Sequence, residues 1–215
     1  MKNKKILIEF ITTFILFIIF TIIIKIVDVQ SIGPLNSKIG FASINESFHN
    51  FLGYNDLFYK ISKYLGYLSF LIIGLFGVIG LIQLIKRKSI FKVDKAILLL
   101  GAFYVLVLFA YAFFEIVIVN YRPVLEKGVL EASYPSSHTI LSICVCMSGI
   151  LVSNKVFKDK KMIKLFNICL TILMLSIIVF RTISGVHWLT DIVGGVLLSS
   201  ALCLLFKHAL EKIND

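Results

Sequence analysis

Residues 96–119, AILLLGAFYVLVLFAYAFFEIVIV, carry a single charge, Glu115, in an otherwise apolar and aromatic run. A surface helix of a soluble protein shows one apolar stripe, whereas this run is apolar on every side. It is also long enough to cross a hydrocarbon core, which takes about 20 residues. The fold is therefore set by a membrane. Working outward, 6–24 and 66–85 qualify in the same way, with Glu9 near enough to the end of the first to reach the interface. Three further runs, 138–154, 164–181 and 191–207, reach span length only by taking in His138, Arg181 and Asp191. Polar groups drawn into a span end are costly and are usually functional. The expected fold is all-α: a polytopic bundle of six transmembrane helices with an interfacial segment between the first two spans, all in one domain over 1–215.

Composition agrees. The chain is 59% hydrophobic and 16% charged, with a mean hydropathy of +0.96. A soluble domain runs near ~25% charged, so a soluble globular protein, a disordered chain, a disulfide scaffold and a coiled coil are all excluded. Cys144, Cys146, Cys169 and Cys203 lie within apolar runs and read as small hydrophobes. The net charge of +10 is explained by placement, without nucleic acid. With both termini inside, fifteen lysines and arginines face the cytoplasm, in short clusters such as 86–95 and 155–164. Seven fall on the longer outer segments. This bias places both termini in the cytoplasm of a multi-pass cell-membrane protein. The first span is expected to be retained, because its apolar run is too long for a signal peptide and no small-residue cleavage site follows Ile24.

Residues 25–65 form the longest connection. Phe48, Phe51, Leu52, Phe58, Ile61 and Leu65 recur at roughly helical spacing among polar residues. That fits either an amphipathic helix lying in the outer interface or a cap packed over the bundle. Gly194, Gly195, Ser199 and Ser200 offer a close-packing face on the sixth span.

Six spans threaded this way bring Arg122, His138, Arg181, His187 and Asp191 to the outer side. His49 and His208 lie apart and read as solvated. His187 and Asp191 are four apart, one helical turn. A carboxylate there can accept the Nδ1 proton of the imidazole, fix its tautomer and leave Nε2 free as a nucleophile. The arginines are fork-shaped donors suited to phosphate oxygens. Tyr134-Pro135-Ser136-Ser137-His138 opens the fourth span, where free backbone amides make an anion site. His138 beside it can protonate a leaving oxygen. The same His138, His187 and Asp191 also suit zinc by type, but the flanking arginines favour an anion over a cation.

Arg122-Pro123, Pro135-Ser136-Ser137-His138 and Arg181-x5-His187-x3-Asp191 resemble the three signature motifs of the type-2 phosphatidic acid phosphatase family: K-x6-R-P, P-S-x-H and S-R-x5-H-x3-D. The resemblance covers most of the chain in motif order and spacing. It implies His187 as nucleophile, Asp191 as its orienting carboxylate and His138 as general acid, with Arg122, Arg181, Ser136 and the amides of Ser137 and His138 holding phosphate. It implies no metal or other cofactor. The partners implied are a lipid phosphate substrate and membrane lipids, and the site lies on the extracytoplasmic side. The expected activity is hydrolysis of a lipid phosphate monoester or diphosphate through a phosphohistidine. The alternatives are a lipid phosphotransferase using the same site and a non-catalytic lipid-phosphate binder. Two positions depart: Glu115 stands where the first motif has lysine, and Phe180 where the third has serine. Glu115, two helical turns before Arg122 if the third span continues that far, is expected to orient a clamp arginine without touching phosphate.

Overall fold

The structure, a computed structural model, describes residues 2–213; Met1, Asn214 and Asp215, the ends of the expected single domain, lie outside the described residues. Seven α-helices follow one another: α1 (Lys2–Ile26), α2 (Ala42–Leu52), α3 (Asp56–Arg87), α4 (Lys95–Ile116), α5 (Ser137–Val156), α6 (Lys160–Ile183) and α7 (Leu189–Lys212). Six of them, all but α2, are long and apolar enough to cross a membrane. The described residues contain no strand, only isolated bridges such as Tyr121 to Ala132. The fold is that of a six-span helical bundle, as the sequence led one to expect.

Burial divides the spans. α5 and α7 are the centre, while α1, α3, α4 and α6 turn residues such as Phe14, Leu71, Phe109 and Ile172 outward. Those exposed apolar side chains suit lipid tails, as expected of helices long enough to span a bilayer. The central pair is rich in small polar residues. Ser142, Ser148, Ser153 and Ser199 are buried, and each donates its hydroxyl to a carbonyl three or four residues earlier on its own helix, as burial away from water requires. Small residues let α5 and α7 approach closely. A Cβ on Gly194 would run into the Tyr134 ring, and one on Gly195 would meet Thr139 at 3.0 Å. Gly194, Gly195 and Ser199 of the expected close-packing face are thus spent inside the bundle.

α1 lies along α7. Phe17 stacks on Tyr134, Thr21 shares a hydrogen bond with the Tyr134 hydroxyl, and Ile24 is buried. At the opposite end His208 is buried, its Nδ1 at 3.1 Å from the Asn3 carbonyl oxygen, so it is a clasp rather than a solvated residue.

The structure revises the connection between the first two spans. The apolar spacing from Phe48 to Leu65 belongs to two helices. α2 ends at Gly53, whose φ of +66° suits glycine. Asn55 then caps α3 by accepting from the Phe58 amide. α3 therefore begins ten residues before the expected 66. α2 packs on the start of α7: Asn45 is buried and exchanges hydrogen bonds with Thr190. That is the packed cap, although Phe51 remains exposed.

The third span ends early. α4 stops at Ile116, and the chain turns away to place Asn120 beside Asp191. Lys25 holds this turn through the Ile118 carbonyl. Glu115 and Arg122 therefore do not share a helical face.

Candidate active site

Four segments meet at one end of the bundle: the first turns of α3, the hairpin 120–133, the start of α5 and the turn 184–188 between α6 and α7. That last turn is tight. Gly185 has φ of +67° and lies against the Gly53 backbone, and Asn55 donates its amide to the Ser184 carbonyl. The hairpin is closed by Lys127 and Gly128, both at positive φ, the backbone of a two-residue hairpin turn, between the bridges Glu126 to Val129 and Tyr121 to Ala132. It is fastened to the 184–188 turn by the Trp188 indole, which donates to the Tyr121 carbonyl at 2.7 Å.

His187 sits at the centre, with both it and Asp191 buried. Their direct approach, Nδ1 to Oδ2, is 3.6 Å, long for a hydrogen bond. Ser133 fills the gap. Its Oγ donates to Asp191 Oδ2 at 2.5 Å and lies 2.9 Å from His187 Nδ1. Because the hydroxyl proton is given to the carboxylate, Oγ accepts from Nδ1–H, and the proton on Nδ1 fixes the tautomer. Asp191 also accepts from the Trp188 amide at 2.9 Å, capping α7, and Asn120 reaches its other oxygen at 3.5 Å. The outcome is a bare Nε2: it is buried and has no hydrogen-bond partner among the described residues. Burial holds the His187 imidazole well below its ordinary pKa, and Arg181, Arg122 and His138 push it the same way. That direction favours the neutral imidazole, whose Nε2 carries a lone pair.

The two arginines stand nearby in different settings. Arg181 is buried; it donates to Ser62 Oγ at 3.3 Å and lies over the Tyr59 ring at 5.2 Å. Arg122 is held by two carboxylates, Glu126 at 2.5 Å and Glu131 at 3.2 Å. Each arginine keeps a buried Nε with no partner among the described residues. His138 stands on the first turn of α5 against Gly66 of α3, where a Cβ would meet its ring at 2.9 Å. Ser136 occupies the N-cap position of α5; its hydroxyl accepts from the Thr139 hydroxyl and its amide donates to the Asp191 carbonyl. Ser137 and Glu115 line a narrow cleft that reaches Ser133 and His187.

The structure thus brings together His187, Asp191, His138, Arg122, Arg181, Ser136 and Ser137. Glu115 is the exception to its expected role. It is exposed and lies against Tyr111, while Glu126 and Glu131 hold Arg122. The physical reason is the early end of α4. His49 is also corrected: it is half-buried against the Trp188 ring, 5.4 Å between centroids, rather than solvated. Ser133, Asn120, Ser62, Tyr59, Glu126, Glu131 and Gly66 were not foreseen. For Glu126 and Glu131 a signal existed, because a Lys-Gly turn at 127–128 folds 131 back onto Arg122, whose amide donates to the Glu131 carbonyl. For Ser62 and Gly66 no local signal existed.

The sequence pattern of the PAP2 superfamily matches residues 71–215. Among curated protein sequences none matches the chain at significance. Among solved structures, the chain is similar to the crystal structure of a transmembrane PAP2-type phosphatidylglycerolphosphate phosphatase from Bacillus subtilis. The TM-score is 0.60 at 21% identity, covering 95% of this chain and 96% of that one.

Proposed function

The chain belongs to the PAP2 superfamily, and from that premise we propose that it is a metal-independent membrane phosphatase hydrolysing a lipid phosphate monoester or diphosphate through a phosphohistidine. The observation that carries this reading is the His187 ring, with Nδ1 tethered through Ser133 to Asp191 and Nε2 buried without a partner. Nε2 attacks phosphorus, a P–N bond forms, and the bond to the leaving oxygen breaks in line. His138 gives that oxygen a proton. Arg122 and Arg181 offset the charge on the phosphoryl oxygens, a role that needs fixed donors rather than a cation. Water then attacks phosphorus, releasing inorganic phosphate and restoring His187. The lysine distribution supports a site on the extracytoplasmic side, with both termini cytoplasmic.

The test is phosphate release from a panel of purified lipid phosphates with EDTA present. Turnover that withstands EDTA, is blocked by vanadate and vanishes in His187→Ala is expected. Activity lost on chelation and restored by zinc would sink the metal-free mechanism, and turnover surviving in His187→Ala would sink the nucleophile.

A second reading has its own observation. Glu115 lines the cleft that reaches His187. If the second nucleophile is a lipid alcohol activated by Glu115, the protein is a phosphotransferase. Glu115→Gln would then accumulate phosphoenzyme with turnover gone, whereas in a hydrolase that positions water by other groups it retains turnover.

A further inference from the structure

The end of the bundle opposite the active site carries the most exposed large apolar side chain among the described residues. Phe91 is 94% exposed, and Ile90 beside it is exposed too. Both lie on the single helical turn Ile90–Lys92 between α3 and α4. One apolar side chain in water needs no explanation by itself. This one does, because the loop that presents it is braced. Arg87 donates to one Asp94 carboxylate oxygen at 2.7 Å and to the Lys92 carbonyl at 2.5 Å. Gln83 donates to the other Asp94 oxygen at 2.8 Å and accepts from the Asp94 amide at 2.9 Å. Val93 is buried in the core. The loop thus turns Val93 in and holds Phe91 out.

Charge completes the surface. Both Asp94 oxygens are spent on Arg87 and Gln83. The exposed Lys86, Lys88, Lys92 and Lys95 therefore have no carboxylate partner among the described residues. The flanking helices turn Leu81, Ile85 and Leu98 outward, so the loop stands where a lipid-facing surface meets water.

We propose that this loop is a docking surface for an anionic phospholipid of the adjoining leaflet, with Lys88 and Lys92 meeting the headgroup phosphate and Phe91 set among the acyl chains. An anionic lipid satisfies both halves of the surface at once. Its phosphate pairs with the ammoniums, and its chains cover Phe91 and Ile90; an acidic soluble partner would meet the charge alone. Basic residues beside a membrane draw anionic lipids over a Debye length, and an inserted apolar group adds a second, short-range attraction. The brace is in place before the lipid arrives, so little ordering opposes docking. With the orientation proposed above, the leaflet is the cytoplasmic one. The surface is remote from the phosphate clamp: Ser62 and Arg87 are separated by most of α3, roughly 37 Å of helix. It stands independently of the phosphatase reading.

Phe91→Trp puts a fluorophore on the loop. The purified full chain would be reconstituted in bilayers of phosphatidylcholine and phosphatidylglycerol in equal amounts, with bromine on the tails of one lipid or the other. Wild type, whose Trp188 is buried at the far end, supplies the background. Brominated phosphatidylglycerol should quench the new indole more than brominated phosphatidylcholine does, by about fivefold, the weight of one basic residue at a lipid surface. Lys88→Gln with Lys92→Gln, added to Phe91→Trp, should bring the ratio close to unity. Lys158→Gln with Lys161→Gln, on the other basic loop, should leave it unchanged. Equal quenching by the two lipids, or a ratio that survives Lys88→Gln with Lys92→Gln, overturns the proposal. So does a ratio lowered as much by the Lys158 and Lys161 pair, which would make it a property of overall charge. Quenching by neither lipid would put the loop outside the membrane and leave the surface to a soluble partner. Thermal melting in neutral detergent reads the same surface without a fluorophore. Added phosphatidylglycerol should raise the Tm of wild type more than phosphatidylcholine does, and Lys88→Gln with Lys92→Gln should remove most of that difference. Equal shifts in wild type, or a difference the double variant keeps, overturn the proposal.

Discussion

At the scale of single residues, the site turns on a hydroxyl. Ser133 separates His187 from Asp191 in space, and without its oxygen the pair is left at 3.6 Å. Ser133→Ala should therefore lower kcat by about ten- to a hundredfold, the range for a hydrogen bond to a charged group, with KM little changed. A loss under about twofold in steady-state kinetics would mean that the imidazole reaches the carboxylate unaided. The setting of His187 also fixes a pH dependence. Burial, then Arg181, Arg122 and His138, depress its pKa. Protonation removes the Nε2 lone pair, so activity is lost only as pH falls through the depressed value. The acid limb of kcat/KM should lie below about 6.5, the ordinary histidine value; a limb at or above it would contradict the buried, neutral nucleophile. His187, Asp191 and the arginines were legible because their chemistry is tied to short spacings. Ser133 was not, because it meets its partners across sequence separations of 54 and 58.

At the scale of elements, helix ends decide which residues meet. The starts of α5 and α7 carry His138 and Asp191, and the first turns of α3 bring Tyr59, Ser62 and Gly66 beneath them. Gly66 leaves His138 its room. Gly66→Ala puts a methyl group where the His138 ring lies; a side chain can swing aside more readily than a backbone can, so the fold should survive. Proton donation should suffer instead. kcat on a lipid substrate should fall about tenfold or more, while a substrate with a good leaving group, which needs little protonation, should be largely spared. Equal losses on both substrates would remove His138 from the general-acid role. The six spans were readable because hydrophobicity is averaged over about 20 residues. Their ends were not. α3 begins early because Asn55 caps it, and α4 stops early because Asn120 and Ile118 are tied elsewhere. A window of hydropathy sees neither.

At the scale of the whole molecule, orientation is open to a direct measurement. Cys169 is exposed and the other three cysteines are buried, so a Cys169→Ser background is quiet toward impermeant thiol reagents. In intact cells Val129→Cys, on the exposed hairpin, should be labelled, and Lys160→Cys, at the exposed start of α6, should not. The reverse pattern would move the site to the cytoplasm. The seam between α1 and α7 sets the order of assembly. α1 leaves the ribosome long before α7, yet the two pack along each other, and the clasp at the far end joins Asn3 to His208. During synthesis the α1 face must wait against lipid until its neighbour is delivered. Asp191 arrives in that same last helix, after Ser133 and just after His187, so the three groups can meet only once α7 is delivered. If the chain is cut within 88–94 and made as two pieces, turnover should return only when both pieces share one membrane.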